Sequence, residues 1–173
     1  MRSVLFVGFY LLTSLALSGQ EKDETTFPEA YLGIYKGTLK ITSDRGSQEV
    51  KMTFILDATA TAGNYRYVLQ YGDQPPRDYL LIAQEGAPGR FVVDEQNDIL
   101  LDAYNYENAL ISIFEVQGNL ITTTERFYED FMDFEITMIK SETPKMTGGT
   151  SEEIPPVKSF PLQVIQKARL IKQ

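Results

Sequence analysis

Residues 110–127 read "LISIFEVQGNLITTTERF", two alternating runs joined by a short turn. Alternation of apolar and polar side chains with a period of two is the pattern of a β-strand that buries one face. Gln117, Gly118 and Asn119 separate the runs, and Gly118 and Asn119 tolerate the backbone angles of a tight turn. This stretch therefore predicts an antiparallel β-hairpin.

The same alternation runs through the rest of the chain. In residues 33–42 it places Tyr35, Leu39 and Ile41 on one face, and residues 50–57, 65–71 and 131–139 repeat the pattern. About ten such runs follow at intervals of roughly 8 to 12 residues, and none sustains a helical period over three turns. The chain is therefore predicted to be all-β.

The connections between these runs favour a barrel over a sandwich. Most are short, as in a meander, whereas a Greek-key sandwich needs several long crossovers. The long loop at 141–159 precedes the last run, where the chain can swing round to pair with the first strand. We expect a single antiparallel meander β-barrel of about eight to ten strands, whose closure removes exposed strand edges.

The segment "FPEAYLGIYKG" at 27–37 resembles the entry to the barrels of the calycin superfamily, which includes lipocalins and fatty-acid-binding proteins. In that family a short helical turn leads into a first strand marked by Gly-x-Trp, and a basic residue of the last strand packs over the marked ring. Gly33 and Tyr35 match the motif with tyrosine in place of tryptophan. The resemblance implies that Arg169, or Lys167 two residues earlier, is the basic partner.

The N-terminus has the features of an export signal. Arg2 precedes an uncharged apolar stretch and then small residues up to Gly19, an order typical of a cleaved signal peptide. We expect residues 1–19 to be removed and residues 20–173 to form one barrel domain, exported to a periplasm or secreted. No membrane insertion is expected, since the apolar stretch is too short for a resident span.

Charge and composition exclude several classes of function. Loss of the signal would leave 15 basic and 24 acidic residues, a formal net charge of about −9, which disfavours nucleic acid as a partner. The chain has no histidine and no cysteine. Nucleophiles activated by imidazole, zinc sites built from histidine or cysteine, and disulfides are therefore excluded, and we expect no metal and no cofactor.

Several polar side chains are expected inside the barrel. A small-ligand site needs polar groups converging within mostly apolar walls. In the alternative register Ile121, Thr123 and Phe127 point inward and Arg126 is a surface charge, since a shift of one residue inverts the faces of a strand. If the hairpin keeps its second run in phase with Phe114, the candidate ligand-binding residues are Tyr65, Tyr67, Tyr71, Ser112, Thr122, Thr124 and Arg126.

Two further segments contain polar or acidic side chains that could bind a ligand or act in catalysis. In "YGDQPPRDY" at 71–79, Arg77 and Tyr79 are expected near a barrel mouth or, alternatively, in a stiff surface turn. In "YEDFMDFE" at 128–135, Asp133 and Glu135 share a face opposite Phe134, so they are expected to face solvent. A glycosidase-type pair of carboxylates needs one buried member, so no catalytic residue is assigned.

The sequence thus favours an exported barrel that binds a small, partly apolar ligand in its interior. The competing hypothesis is a module with a filled barrel that binds protein or glycan through its surface loops, including Tyr104 and Tyr106. A carboxylate-based hydrolase is the third.

Overall fold

The computed structural model of the protein describes residues 26–173 and shows an all-β chain. A single 3₁₀ turn, Glu29–Tyr31, precedes the strands. The strands are β1 (Gly33–Ser43), β2 (Gly46–Ala58), β3 (Asn64–Tyr71), β4 (Arg77–Ala83), β5 (Arg90–Asp94), β6 (Leu100–Tyr106), β7 (Ala109–Val116), β8 (Asn119–Phe127), β9 (Phe131–Lys140), β10 (Lys145–Thr147), β11 (Val157–Ser159) and β12 (Leu162–Lys172).

Ten of these strands close into one antiparallel barrel, which confirms the predicted fold. β1 to β9 follow one another as a meander, and β12 lies between β9 and β1 to complete the ring. The last strand does pair with the first, with Tyr35 opposite Lys172 and Ser43 opposite Val164. The predicted long loop before it contains the small separate sheet of β10 and β11, so it is not wholly irregular.

The predicted signal peptide, residues 1–19, lies outside the described residues. Within residues 26–173, no helix has the length and apolar character needed to cross a membrane.

The barrel core follows the predicted alternation in β1, β2 and β9. Tyr35 and Leu39 of β1, Phe54 of β2, and Met132 and Phe134 of β9 are almost completely buried. The hairpin of β7 and β8 also forms as predicted, with Val116 opposite Asn119 across a two-residue turn. Each strand therefore presents one face to a shared interior.

An aromatic plug fills one end of the barrel. The Phe27 ring contacts Phe91 edge-on with ring centroids 5.3 Å apart, and Tyr31 stacks on Phe127 at 5.4 Å. The Tyr35 hydroxyl donates a hydrogen bond of 2.6 Å to the Tyr31 carbonyl oxygen and so ties the 3₁₀ turn to β1. Burial raises the pKa of Tyr35 to about 12, so this hydroxyl stays protonated and available as a donor. We call this end, where the 3₁₀ turn covers the barrel, the closed end.

The entry motif is partly as expected. Gly33 opens β1 with φ of 153°, and Tyr35 is fully buried near the closed end. The basic partner is Lys172, whose Nζ lies 5.8 Å from the centre of the Tyr35 ring. Its Cε would lie 2.8 Å from a Cβ added at Gly33, so a glycine at this position gives the lysine room to cross the ring.

Arg169 and Lys167 do not reach Tyr35, and the expectation that one of them does is wrong. Both lie on the outer face of β12, because Ala168 and Leu170 take the inner one. Arg169 forms a bidentate pair with Asp133 at 2.8 and 2.9 Å, and Lys167 pairs with Glu135. The basic residue of β12 that points inward is Lys172, three residues after Arg169.

Candidate functional site

The end of the barrel opposite the plug is open. It is ringed by the connections that follow β1, β3, β5, β7 and β9, and it leads into a cavity of about 630 Å³. That volume lies within the range of small-molecule sites, about 300 to 1,000 Å³. The side chains around it are Ile41, Gln48, Glu49, Val50, Tyr71, Gln74, Arg77, Glu95, Phe114, Ile121, Thr123, Ile136, Met138 and Gln166.

A smaller compartment of about 100 Å³ lies against this cavity and reaches further into the barrel. Tyr71, Arg77, Glu95, Phe114 and Thr123 are among the residues that border both spaces. Ile136 also borders both spaces, and the residues that border only the inner compartment are Tyr67, Leu69, Tyr79, Val93, Leu101, Leu110, Ser112 and Glu125. The cavity in the open half of the barrel is therefore wide at the mouth and becomes narrower toward the interior.

Glu125 is the charged side chain held deepest in this space. It lies on β8 opposite Leu110, and only 1% of its surface is exposed. The Tyr67 hydroxyl donates a hydrogen bond of 3.0 Å to its Oε1. Burial raises the pKa of the Glu125 carboxyl to about 8, although the Tyr67 hydrogen bond acts in the opposite direction. A large fraction of the protein therefore holds this group as a neutral acid at neutral pH.

Three tyrosines from two neighbouring strands surround the inner compartment. Tyr67 of β3 lies opposite Tyr79 of β4, and their rings stack with centroids 6.4 Å apart. Tyr71 lies nearer the mouth, where the Arg77 guanidinium sits 5.2 Å from its ring centre. Burial and the proximity of Glu125 raise the pKa of Tyr67 well above its usual value. Burial likewise raises the pKa of Tyr71 to about 12, so both hydroxyls remain donors.

Three of the predicted ligand-binding residues come together here. Tyr67, Tyr71 and Ser112 all border the inner compartment, and Ser112 is 4% exposed. Tyr65 points inward as well, but it lies at the closed end, where its hydroxyl bonds the Glu29 carboxylate of the 3₁₀ turn. Arg77 and Tyr79 also border the inner compartment.

The predicted inner face of β8 is reversed. Ser112 pairs with Thr123, and Phe114 pairs with Ile121, so the odd-numbered residues of β8 point inward. Thr122, Thr124 and Arg126 therefore lie on the outer face, and the Arg126 guanidinium donates to Asn108 Oδ1 at 3.2 Å. The turn decides the register, because a loop of two residues, Gln117 and Gly118, puts Asn119 directly opposite Val116.

Sequence reasoning missed Glu125. A glutamate in an alternating strand is ordinarily assigned to solvent, since carboxylates are rarely buried without a partner. The available signal was the alternative register, in which Ile121 and Phe127 form the more apolar face of β8 and Glu125 shares it. Phe127 is fully buried in the plug, which shows that this face is the inner one.

Asp133 and Glu135 do not form a catalytic pair. Both face outward, as predicted, and form exposed ion pairs with Arg169 and Lys167. Among residues 26–173, no cluster of three or more histidine, cysteine, aspartate or glutamate side chains could hold a metal ion.

Comparison with known proteins adds evidence on the fold. No family model and no curated protein sequence matches the chain. Among solved structures, a protein of unknown function from the DUF3598 family of Nostoc punctiforme is similar, with a TM-score of 0.61 and 8% sequence identity. The match covers 84% of this chain and 48% of that one, so this chain spans about half the length of that protein. At this identity the similarity supports the barrel fold alone.

Proposed function

We propose that this protein is an exported barrel of calycin-like architecture that binds a small, partly apolar molecule in its open half. The observation that carries the proposal is the cavity of about 630 Å³ at the open end, continued inward by a compartment with buried polar groups. Concave sites of this size, with apolar walls and a few converging polar groups, are the usual form of small-molecule sites.

The unequal filling of the barrel supports this proposal. Phe54 and Phe127 pack the closed half and are fully buried. Phe114, which could have filled the open half, instead lies in the cavity wall. A barrel that served only as a scaffold would gain stability by filling this space, because an unfilled cavity forfeits packing contacts.

The cavity walls indicate the character of the ligand. Ile121, Ile136 and Met138 provide an apolar surface near the mouth, and Ser112, Thr123 and the tyrosine hydroxyls lie further in. A molecule with an apolar body and one polar end would bury its apolar surface and satisfy the polar groups at the same time.

Thr123→Phe tests the proposal directly. Thr123 borders both compartments, so a phenyl ring at this position should fill the passage between them. Thr124→Phe makes the same chemical change one residue along, on the outer face, and is the matched control. Titration with the neutral apolar dye phenylnaphthylamine should give saturable binding to the wild type and to Thr124→Phe, and a loss of at least roughly tenfold in Thr123→Phe. Absence of saturable binding, or equal binding by both variants, would overturn the proposal.

A surface interaction module remains the second candidate because two tyrosines are exposed beside apolar neighbours. Tyr104 is 47% exposed and Tyr106 72%, and Tyr104 pairs across the sheet with Ile111 on the outer face. Contiguous exposed aromatic groups mark contact sites. If this face carries the function, Tyr104→Ala with Tyr106→Ala would abolish capture of a protein or glycan partner while dye binding stayed unchanged.

A further inference from the structure

In the inner compartment a buried carboxylate lies among aromatic rings, and both kinds of group attract a positively charged ligand. Glu125 is 1% exposed and lies beside Tyr67, whose ring stacks on Tyr79. A buried carboxylate is stable in its charged form only if it is paired with a cation or accepts several hydrogen bonds. The faces of aromatic rings attract cations through their quadrupole.

We propose that the ligand of this cavity is an organic ammonium ion, whose positive nitrogen sits in the inner compartment against Glu125 and the tyrosine rings. This inference rests on the proposed function, because it names the chemical class of the molecule bound at the same site.

The acceptor capacity of Glu125 leaves room for such a ligand. A carboxylate offers two oxygens and about four acceptor positions. The Tyr67 hydroxyl donates to Oε1 at 3.0 Å, and the Thr123 side chain and the Glu125 backbone N–H also hydrogen-bond the carboxyl. An ammonium group in the compartment would place a positive charge beside the carboxylate. If its nitrogen carries protons, it would also donate a hydrogen bond to a free acceptor position.

The charged groups around the two spaces also favour a cation. The acids are Glu49, Glu95 and Glu125, and Arg77 is the one base among the residues that border them. With Glu125 ionised these groups sum to −2, so the cavity would repel a carboxylate ligand and attract an ammonium ion.

Arg77 shows that the tyrosine rings accept a cation here. Its guanidinium lies 5.2 Å from the centre of the Tyr71 ring, at the mouth of the cavity, and the side chain is exposed. A guanidinium on a long stem at an exposed site is free to move aside when a ligand enters. Arg77 also hydrogen-bonds the Tyr79 hydroxyl, and the Tyr79 ring stacks on the more deeply buried Tyr67, which borders the inner compartment.

The proton and the ammonium ion would compete for Glu125. Burial raises the pKa of its carboxyl to about 8, so below that pH the proton neutralises the group. The titratable groups that face it across the two compartments are Tyr67, Tyr71, Tyr79, Arg77 and Glu95, and burial keeps the Tyr67 and Tyr71 hydroxyls protonated. Affinity for a permanent cation should therefore rise with pH as Glu125 ionises.

The test uses three probes that share one branched apolar frame and differ in charge. Choline carries a permanent positive charge, dimethylbutanol replaces its nitrogen with carbon, and dimethylbutanoate is an anion of similar shape. Binding to the full chain is measured by NMR chemical-shift titration. Near pH 9, choline should bind at least roughly tenfold tighter than dimethylbutanol, and the anion weakest. Choline affinity should fall at least roughly tenfold between about pH 9 and about pH 6, while dimethylbutanol affinity should stay nearly constant.

Two glutamate variants assign the preference to Glu125. Glu125→Gln keeps an acceptor for Tyr67 and removes the charge, so it should abolish the preference for choline and its pH dependence. Glu115→Gln alters an exposed acid on the outside of the same hairpin and should leave both unchanged.

Equal binding of choline and dimethylbutanol by the wild type, lost in Thr123→Phe, would overturn the ammonium inference and leave the cavity as a binding site. No binding of any probe, or binding unaffected by Thr123→Phe, would overturn the inference together with the proposed function. A preference for choline that survives in Glu125→Gln would also overturn it, because the charge would then be recognised elsewhere.

Discussion

Replacing Glu125 with glutamine should remove the loss of stability that the wild type suffers as pH rises from about 4.5 to about 8. Glutamine has nearly the same shape, and its amide oxygen can accept the hydrogen bond that the Tyr67 hydroxyl donates at 3.0 Å. The substitution removes the ability of this buried group to lose a proton, and its amide still offers both an acceptor and a donor. The comparison therefore isolates the cost of an ionised carboxylate in the open half of the barrel.

The direction and size of the effect follow from the pKa of Glu125. Burial raises it from the usual 4.5 to about 8, so the folded protein holds this proton more tightly than the unfolded chain does. Its contribution to stability is fully present below about pH 4.5, is lost as pH rises, and stops changing above about pH 8. Each pH unit in that interval costs about 1.4 kcal/mol, which amounts to about 4 kcal/mol between pH 5 and pH 9.

Urea unfolding of both proteins at several pH values gives the measurement. The free energy of unfolding is obtained by linear extrapolation and followed by far-ultraviolet circular dichroism. The wild type minus Glu125→Gln difference should become more unfavourable to the wild type by about 4 kcal/mol from pH 5 to pH 9, since all other titrating groups cancel. Glu115→Gln should track the wild type throughout. A difference that stays flat across this range would refute the burial of the Glu125 carboxyl.

The remaining predictions concern the closed end and the seam of the barrel. Tyr35→Phe should lower the free energy of unfolding by about 1 to 2 kcal/mol in urea titrations, because the Tyr31 carbonyl loses its donor. Tyr106→Phe, at a tyrosine that is 72% exposed, should change it by less than about 0.5 kcal/mol; equal effects would contradict the assigned role of the hydrogen bond. Gly37→Ala should lower the melting temperature and destabilise by about 3 kcal/mol, because its Cβ would lie 2.4 Å from the Arg169 carbonyl oxygen across the β1–β12 seam. Thr38→Ala, exposed on the same strand, should have little effect, and a tolerated Gly37→Ala would mean that the two strands do not approach so closely.

Much of the fold could be predicted because it depends on local pattern. Alternation in β1, β2 and β9 identifies the buried side chains, and the short turns between strands imply neighbours in space. The closure of β1 on β12 follows from the same reasoning, since the long connection before β12 is the one able to cross the barrel.

The site was harder to predict because it depends on register. One residue decides whether Arg126 or Glu125 points inward, and the periodic pattern of three consecutive threonines before them is the same in both registers. The two-residue turn at Gln117 and Gly118 settles the pairing, and the loop length could be inferred only approximately from the sequence. The prediction of the basic partner of Tyr35 was wrong for a similar reason. Arg169 lies on the outer face of β12, whereas Lys172 lies on the inner face.

The two halves of the barrel have different physical roles. The closed half, with its aromatic plug and the Tyr35 hydrogen bond, supplies the packing that stabilises a chain without disulfides. The open half is less tightly packed, because it contains the cavity beside Glu125 and the tyrosines. Sites held in this way on a rigid scaffold commonly trade stability for binding.

Native mass spectrometry of the protein purified under non-denaturing conditions from its own host is the most direct test of the central claim, that the open half of the barrel is a ligand site. We predict a complex heavier than the polypeptide by the mass of one small molecule with a basic or quaternary nitrogen, present in the wild type and in Thr124→Phe and absent in Thr123→Phe. The bare polypeptide mass in all three proteins, or the same adduct in Thr123→Phe as in the wild type, would contradict the account.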